Sequence, residues 1–281
     1  LRPDRAPPDM SGPDGGLRRT ALITGASAGI GAALARVFAA NGWNLILTAR
    51  RVQPLEGLAR ELTADHGVDV AVLPADLAEP DAAATLASEI RRMGLSVDGL
   101  VNNAGFSLTT GFVATDPADH AAMIRVMLTG PVELSRLLLP GMIERGFGRI
   151  LNVASLAGLM PATGGDTLYG PIKAFMIKAS AGLHLETAGT GVHVTALCPG
   201  YTWTEFHDVN GSRDEVSSAY PRWMWQTADH VARVGYRAVQ DNRVRVVPGW
   251  RNTLLAAIPK LLPDALALKI IGGHAKRLKR I

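Results

Sequence analysis

Tyr169-Gly170-Pro171-Ile172-Lys173 sets a phenol and an amine four residues apart. On a helix, that spacing puts both side chains on one face. A free tyrosine titrates near pH ~10, so it needs help to exchange protons near neutrality, and a neighbouring ammonium favours the phenolate. A pair of this type is common by itself and gains weight only from its surroundings. Far upstream, Thr24-Gly25-Ala26-Ser27-Ala28-Gly29-Ile30-Gly31 separates a short apolar run from a helical pattern. Glycines there let the backbone turn sharply and come close to a pyrophosphate. The helix N-terminus that follows offers unpaired N–H groups and a positive dipole end. The chemistry suggested is proton transfer beside a bound dinucleotide.

The elements that must position these residues alternate along the chain. Strands are expected at Ala21-Leu22-Ile23, at 44–48, at 70–73, at 97–101, at 148–153, at 192–197 and at 244–247. Helical segments fall between them, near 54–66, 79–93, 117–145, 169–189 and 227–240. In the first helix Ile30, Ala33, Leu34, Val37 and Phe38 form an amphipathic stripe that ends at Asn41-Gly42. Such alternation predicts a doubly wound parallel sheet, the Rossmann fold of the α/β class, covered by helices on both faces. With 281 residues, 47% hydrophobic and 19% charged, the chain suits a single large domain. The expected division is a disordered Pro- and Gly-rich tail over 1–19, a catalytic domain over 20–250 and a basic helical extension over 251–281. No transmembrane run or secretory signal is read.

The glycine run has the form TGxxxGxG, and here the chain resembles the short-chain dehydrogenase/reductase family, from about Thr20 to Pro248. The resemblance implies a nicotinamide cofactor held by Gly25, Ser27, Ala28, Gly29, Ile30 and Gly31. It places Asp76 and Leu77 at the adenine. Asn103, Ala104 and Gly105, from the family's NNAG motif, would lie beside the cofactor. Pro199, Gly200 and Thr204 match a PGxxxT loop under the nicotinamide, with Thr202 as a fallback contact. Relatives that use NAD keep an acid after the second strand, whereas this chain reads Thr48-Ala49-Arg50-Arg51. Without that acid a 2′-phosphate is not repelled, and Arg50 or Arg51 can pair with it, so NADP(H) is expected. By the same resemblance Tyr169 is the general acid/base. Lys173 lowers its pKa and bonds the nicotinamide ribose, and Ser155 bonds the substrate oxygen as charge develops.

Two features depart from the family pattern. Ser155 precedes Tyr169 by fourteen positions where the family usually has thirteen, which puts one extra residue in the 161–167 loop. Met127 occupies a helix position where relatives carry an Asn that bends the helix and holds a water linking the Lys to solvent. Methionine has no donor and only a weak acceptor. The alternative to a working oxidoreductase is therefore an NADP(H)-binding sensor or weakly active protein of the same fold.

Six of the fifteen aromatic residues, Tyr201, Trp203, Phe206, Tyr220, Trp223 and Trp225, crowd into 201–226. The resemblance makes this segment a lid. Aromatic walls suit a bulky, largely apolar carbonyl or alcohol substrate. His207 is a candidate substrate contact, and His184 and His193 are read as structural. The single cysteine, Cys198, excludes an intrachain disulfide and reads as a buried apolar group in a reducing, cytoplasmic setting. No metal site is read. The net charge of +4 is concentrated from Lys260 onward, where six Lys/Arg face one Asp, so nucleic-acid binding has little support. Leu266, Ile270 and Leu278 with nearby cations suggest a basic amphipathic helix. Packing on the body or on a partner subunit is preferred there over a peripheral membrane contact. By resemblance the protein is a homodimer or homotetramer built on the helices near 117–145 and 169–189.

Overall fold

The computed structural model describes residues 18–108, 110–162, 166–205, 221–257, 263 and 265–269. The strands are β1 (Thr20–Thr24), β2 (Asn44–Thr48), β3 (Val70–Val72), β4 (Gly99–Asn102), β5 (Gly148–Val153), β6 (Val192–Leu197), β7 (Thr202–Trp203), β8 (Gln226–Thr227) and β9 (Arg245–Val246). Seven of them form one parallel sheet in the order β3-β2-β1-β4-β5-β6-β9, and β7 pairs with β8 separately. Ile23 of β1 pairs with Leu47 on one side and Val101 on the other. β1, β2 and β4 are buried along their whole length, as expected for parallel strands covered on both faces. The winding reverses between β1 and β4, which opens a crevice at their carboxyl ends.

The helices are α1 (Gly29–Ala40), α2 (Val52–His66), α3 (Ala82–Arg92), α4 (Pro117–Ile124), α5 (Gly130–Glu144), α6 (Tyr169–Glu186), α7 (Ala228–Gln240) and α8 (Trp250–Ala257). One core layer joins the sheet to α1, α2 and α7 through Leu34, Phe38, Leu55, Leu62, Val231 and Val239. The opposite layer joins it to α3 and α5 through Leu86, Ile90, Leu134 and Met142. The Rossmann architecture expected from the alternation is thus present, with element ends within a few residues of those expected. α3 starts later than the pattern suggested, because Glu79 and Asp81 are used in a turn at its mouth.

A π-helical turn, Arg125–Thr129, joins α4 to α5, so the segment Pro117–Glu144 is one continuous helix with a widened turn. Pro131 explains the widening. It has no N–H to give the carbonyl of Met127 and its ring crowds that carbonyl. The chain answers with the Gly130 N–H bonded to the carbonyl of Arg125. This helix is also long and apolar enough to cross a membrane by length and composition. Leu134 and Met142 nevertheless pack it onto the sheet as a layer of the fold.

Residues 1–17 of the tail expected over 1–19, and most of the basic extension, including Ile270 and Leu278, lie outside the described residues. Of that extension, Leu266 and Lys269 are exposed and Ala267 is buried.

Candidate active site

The crevice between β1 and β4 is pinned by Thr24. Its hydroxyl donates to the carbonyl of Val101 at 3.1 Å and accepts from the N–H groups of Asn103 and Ala104 at 2.9 and 3.0 Å. Asn103 returns its amide nitrogen to the carbonyls of Thr24 and Gly25, at 2.9 and 3.2 Å. The neighbouring Asn102 lies deeper and donates to Asn152 at 2.8 Å, and Asn152 donates to Ser180 at 2.8 Å. A buried side-chain chain thus ties β4 to β5 and α6.

The glycines are used where no Cβ fits. Gly25 has a φ of +65°, and a Cβ at Gly31 would fall 2.3 Å from the carbonyl oxygen of Gly25. The turn can therefore fold back against the first turn of α1 only with glycine at both places. α1 begins at Ala28 without a side-chain cap, so its first amides are available to an anion. On the far side of β2, Arg51 donates to the hydroxyl of Ser27 at 3.3 Å and pairs with Glu205 at 2.9 Å. Arg50 is exposed beside it. Asp76 accepts from the N–H of Ala78 at 3.0 Å, a tight turn that buries Leu77. An uncapped helix start, glycines that admit no side chain, and a guanidinium over a serine hydroxyl fit a phosphorylated dinucleotide.

At the carboxyl end of β5 the chain turns at Ser155, whose hydroxyl accepts from the N–H of Ala157 at 3.1 Å and so caps a short 3₁₀ turn, Leu156–Leu159. That turn presses on the start of α6: a Cβ at Gly158 would fall 2.5 Å from the carbonyl carbon of Lys173. The close approach brings Ser155 into hydrogen bonding with the phenol of Tyr169. Burial pushes Tyr169 up to about 12; the bond from Ser155 pulls the other way and the charge of Asp166 adds to the rise. Lys173 is buried, donates to the carbonyl of Val153 at 2.8 Å and lies 5.6 Å from the centre of the Tyr169 ring. Burial pushes its ammonium down to about 8.

Pro199 accepts from the N–H of Leu156 at 2.8 Å, which joins the loop after β6 to the Ser155 turn. Buried Thr202 donates to the carbonyl of Gly200 at 3.0 Å. Thr204 sits against the glycine run, where a Cβ at Gly29 would fall 3.1 Å from the Thr204 Cβ. The sequence-expected residues from β1, β5, α6 and the loop after β6 therefore converge on one end of the sheet. Cys198 is fully buried, and burial pushes its thiol up to about 12, so it is an inert core group.

Met127 lies in the π turn, fully buried in a cluster with Leu77, Met123 and Ile172 against which Tyr169 packs. Its sulfur fills the place a Cβ at Gly105 would need, 2.8 Å from it. The helix distortion that the resemblance attributes to an Asn here is present without one. Of the aromatic segment, Trp203 stacks on Trp225 at 4.1 Å and Tyr201 leans on Trp225 at 5.4 Å, whereas Trp223 is half exposed beside Arg251. Phe206, His207 and Tyr220 lie outside the described residues.

Three residues near the site were not read from the sequence. Asp166 is a buried carboxylate beside Tyr169, in the loop with the extra residue. Asn252 of α8 is buried under Gly200, where its amide would meet a Cβ at 2.6 Å. Glu205 pairs with Arg51. Nothing local marks the last two, since each depends on contact with a distant part of the chain; the shifted Ser–Tyr spacing was the available signal for Asp166.

Comparison with known proteins gives a consistent picture. A family model described as short chain dehydrogenase matches residues 19–214. Sulfoacetaldehyde reductase from Chromohalobacter salexigens is 38% identical over 237 residues, covering 81% of this chain and 92% of that protein. A short-chain dehydrogenase from Sphingobium yanoikuyae, solved in complex with NADPH, superposes with a TM-score of 0.76 at 31% identity, over 86% of this chain and 94% of that one. The bulky-bulky ketone specific alcohol dehydrogenase from Comamonas testosteroni gives a TM-score of 0.71 at 28% identity, over 86% and 93%.

Proposed function

Because the chain belongs to the short chain dehydrogenase family, we propose that it reduces the carbonyl of a bulky, largely apolar substrate with NADPH. The observation that carries this reading is the contact of Ser155 with Tyr169, with Lys173 buried on the same helix face. When bound, the nicotinamide supplies the hydride that the carbonyl carbon receives. The chain's own residues manage the oxygen. Tyr169, held protonated by burial, gives its phenolic proton to the oxygen, and Ser155 steadies that oxygen with its hydroxyl. Lys173, anchored on Val153, holds an ammonium behind the phenol and offsets charge as the proton leaves.

Arg51 over Ser27, and Arg50 beside it, support a 2′-phosphate subsite, since guanidinium groups suit phosphate. Gly25, Ser27, Ala28, Gly29, Ile30 and Gly31 are the pyrophosphate cradle, and Thr204 is the carboxamide contact. Phe106, Leu108, Leu168 and Tyr169 all pack against one buried apolar cluster that includes Met127. They favour a large apolar substrate, as does the likeness to a bulky ketone dehydrogenase. A small anionic aldehyde, of the kind named for the sulfoacetaldehyde reductase, is the competing substrate class. The alternative of a cofactor-binding sensor gains no support, since the relatives bear the names of reductases and dehydrogenases.

The same reading makes the protein a cytoplasmic homo-oligomer. Val132, Leu137 and Ile143 of α5 and Phe175 and Leu185 of α6 are large apolar residues left exposed, a pattern that suits a subunit interface. The test of substrate and cofactor is a panel of bulky ketones and small anionic aldehydes, assayed with NADPH and with NADH. Turnover of bulky ketones with a clear NADPH preference is expected. Preference for the anionic aldehydes, or for NADH, would overturn the substrate or cofactor assignment respectively.

A further inference from the structure

Glu205 follows Thr204 directly, and its carboxylate lies 2.9 Å from Arg51, whose same nitrogen donates to Ser27 at 3.3 Å. Both charged side chains are about half exposed, at 52% and 54%. Thr204 itself rests on the glycine run at Gly29. Residues 204 and 205 thus bridge from the pyrophosphate cradle to the turn after β2. A carboxylate of the chain's own stands on the guanidinium that the proposed reading gives to the cofactor.

We propose that Glu205 is an internal competitor for the 2′-phosphate and so sets how strongly the protein distinguishes NADPH from NADH. This rests on the NADP(H) reading above. A carboxylate and a phosphate cannot both sit close to one guanidinium without repelling each other. A phosphate carries more charge and more acceptor oxygens than a carboxylate, so it takes the fork of N–H donors and Glu205 turns away. The exchange costs the cofactor the strength of the ion pair it breaks. A cofactor lacking the 2′-phosphate leaves the pair intact and bears no such cost. Release of Glu205 also loosens the hold on Thr204, which links the phosphate end of the cofactor to the nicotinamide end.

The experiment is fluorescence titration of NADPH and NADH into the full chain, Glu205→Gln, Arg51→Ala and the double variant. Glu205→Gln is expected to tighten NADPH about two- to five-fold, the range that an exposed ion pair supplies, and to leave NADH unchanged. The gain should vanish in the Arg51→Ala background. An unchanged NADPH affinity, an equal gain for NADH, or a gain that survives Arg51→Ala would each overturn the proposal. If Arg51→Ala weakens NADPH while Glu205→Gln has no effect, the competitor role alone falls. If Arg51→Ala also leaves NADPH binding untouched, the assignment of Arg51 to the phosphate falls and takes the competitor role with it.

Discussion

Gly158 lies so close to Lys173 that a Cβ on it would meet the lysine's carbonyl carbon at 2.5 Å. The contact is between backbones, so neither side has a flexible end to yield. It seats the Ser155 turn on α6 and so sets the hydroxyl of Ser155 against Tyr169. Gly158→Ala must part the two segments. It is expected to lower kcat/KM for carbonyl reduction about 10- to 100-fold, the scale of a misplaced catalytic group, with NADPH affinity changed less. Steady-state kinetics with a cofactor titration check this, and an unaltered kcat/KM would show that the contact does not position the pair.

Met127 fills the space over Gly105, and the π turn around it follows from Pro131. The helix distortion therefore needs no Asn at this position. Met127→Asn puts an amide among Leu77, Met123 and Ile172 and is expected to cost about 1–3 kcal/mol of stability without raising kcat. Denaturant unfolding and parallel assays measure both. Turnover by the Asn variant alone would mean that Met127 disables the site.

The glycine run, the Tyr169–Lys173 pair and the strand–helix alternation were legible because each is local: its meaning lies in spacing along the chain. The parallel, doubly wound character of the sheet followed from the same alternation. What the sequence concealed depends on distant partners. Glu205 meets Arg51 across 154 positions, and Asn252 reaches Gly200 from the last described long helix. The π turn is an intermediate case, since Gly130-Pro131 inside a helical pattern is a visible signal of local distortion. The aromatic crowding of 201–226 was legible as composition, but not that, among the described rings, Tyr201 and Trp203 pack on Trp225.

The two directions of reaction should respond oppositely to pH. Tyr169, pushed up to about 12, stays protonated and ready to donate. Lys173, pushed down to about 8, loses its ammonium above that pH. Reduction is expected to hold level from about pH 6 to 7.5 and to decline above about 8 as the supporting charge disappears. Alcohol oxidation needs the phenolate and should climb toward high pH. Profiles of kcat/KM in both directions test this, and a reduction rate that keeps rising beyond pH 9 would rule it out.

Lys173 is expected to be held at a cost in stability. Its ammonium titrates at about 8 when folded against 10.5 in the ordinary state. Between those values the unfolded chain binds more protons, so this group's contribution to stability rises with pH across the window and is least favourable below about 8. Lys173→Met should abolish turnover yet raise stability by about 1–3 kcal/mol at pH 7, with the gain shrinking toward pH 10. Melting temperatures at the two pH values measure the difference. A loss of stability at pH 7 would mean that the Val153 contact outweighs the burial of charge.

In the proposed reaction the phenol of Tyr169 supplies the proton, Ser155 and Lys173 steady the charge that develops, and the remaining residues bind and orient. The most direct measurement is single-turnover oxidation of bound NADPH by a bulky ketone, comparing native protein with Tyr169→Phe at matched cofactor occupancy. Tyr169→Phe is expected to bind NADPH normally and to lose the chemical step by about 100-fold or more, the scale of a lost general acid. A Phe variant that oxidises NADPH at a rate near the native one would rule out Tyr169 as the proton donor.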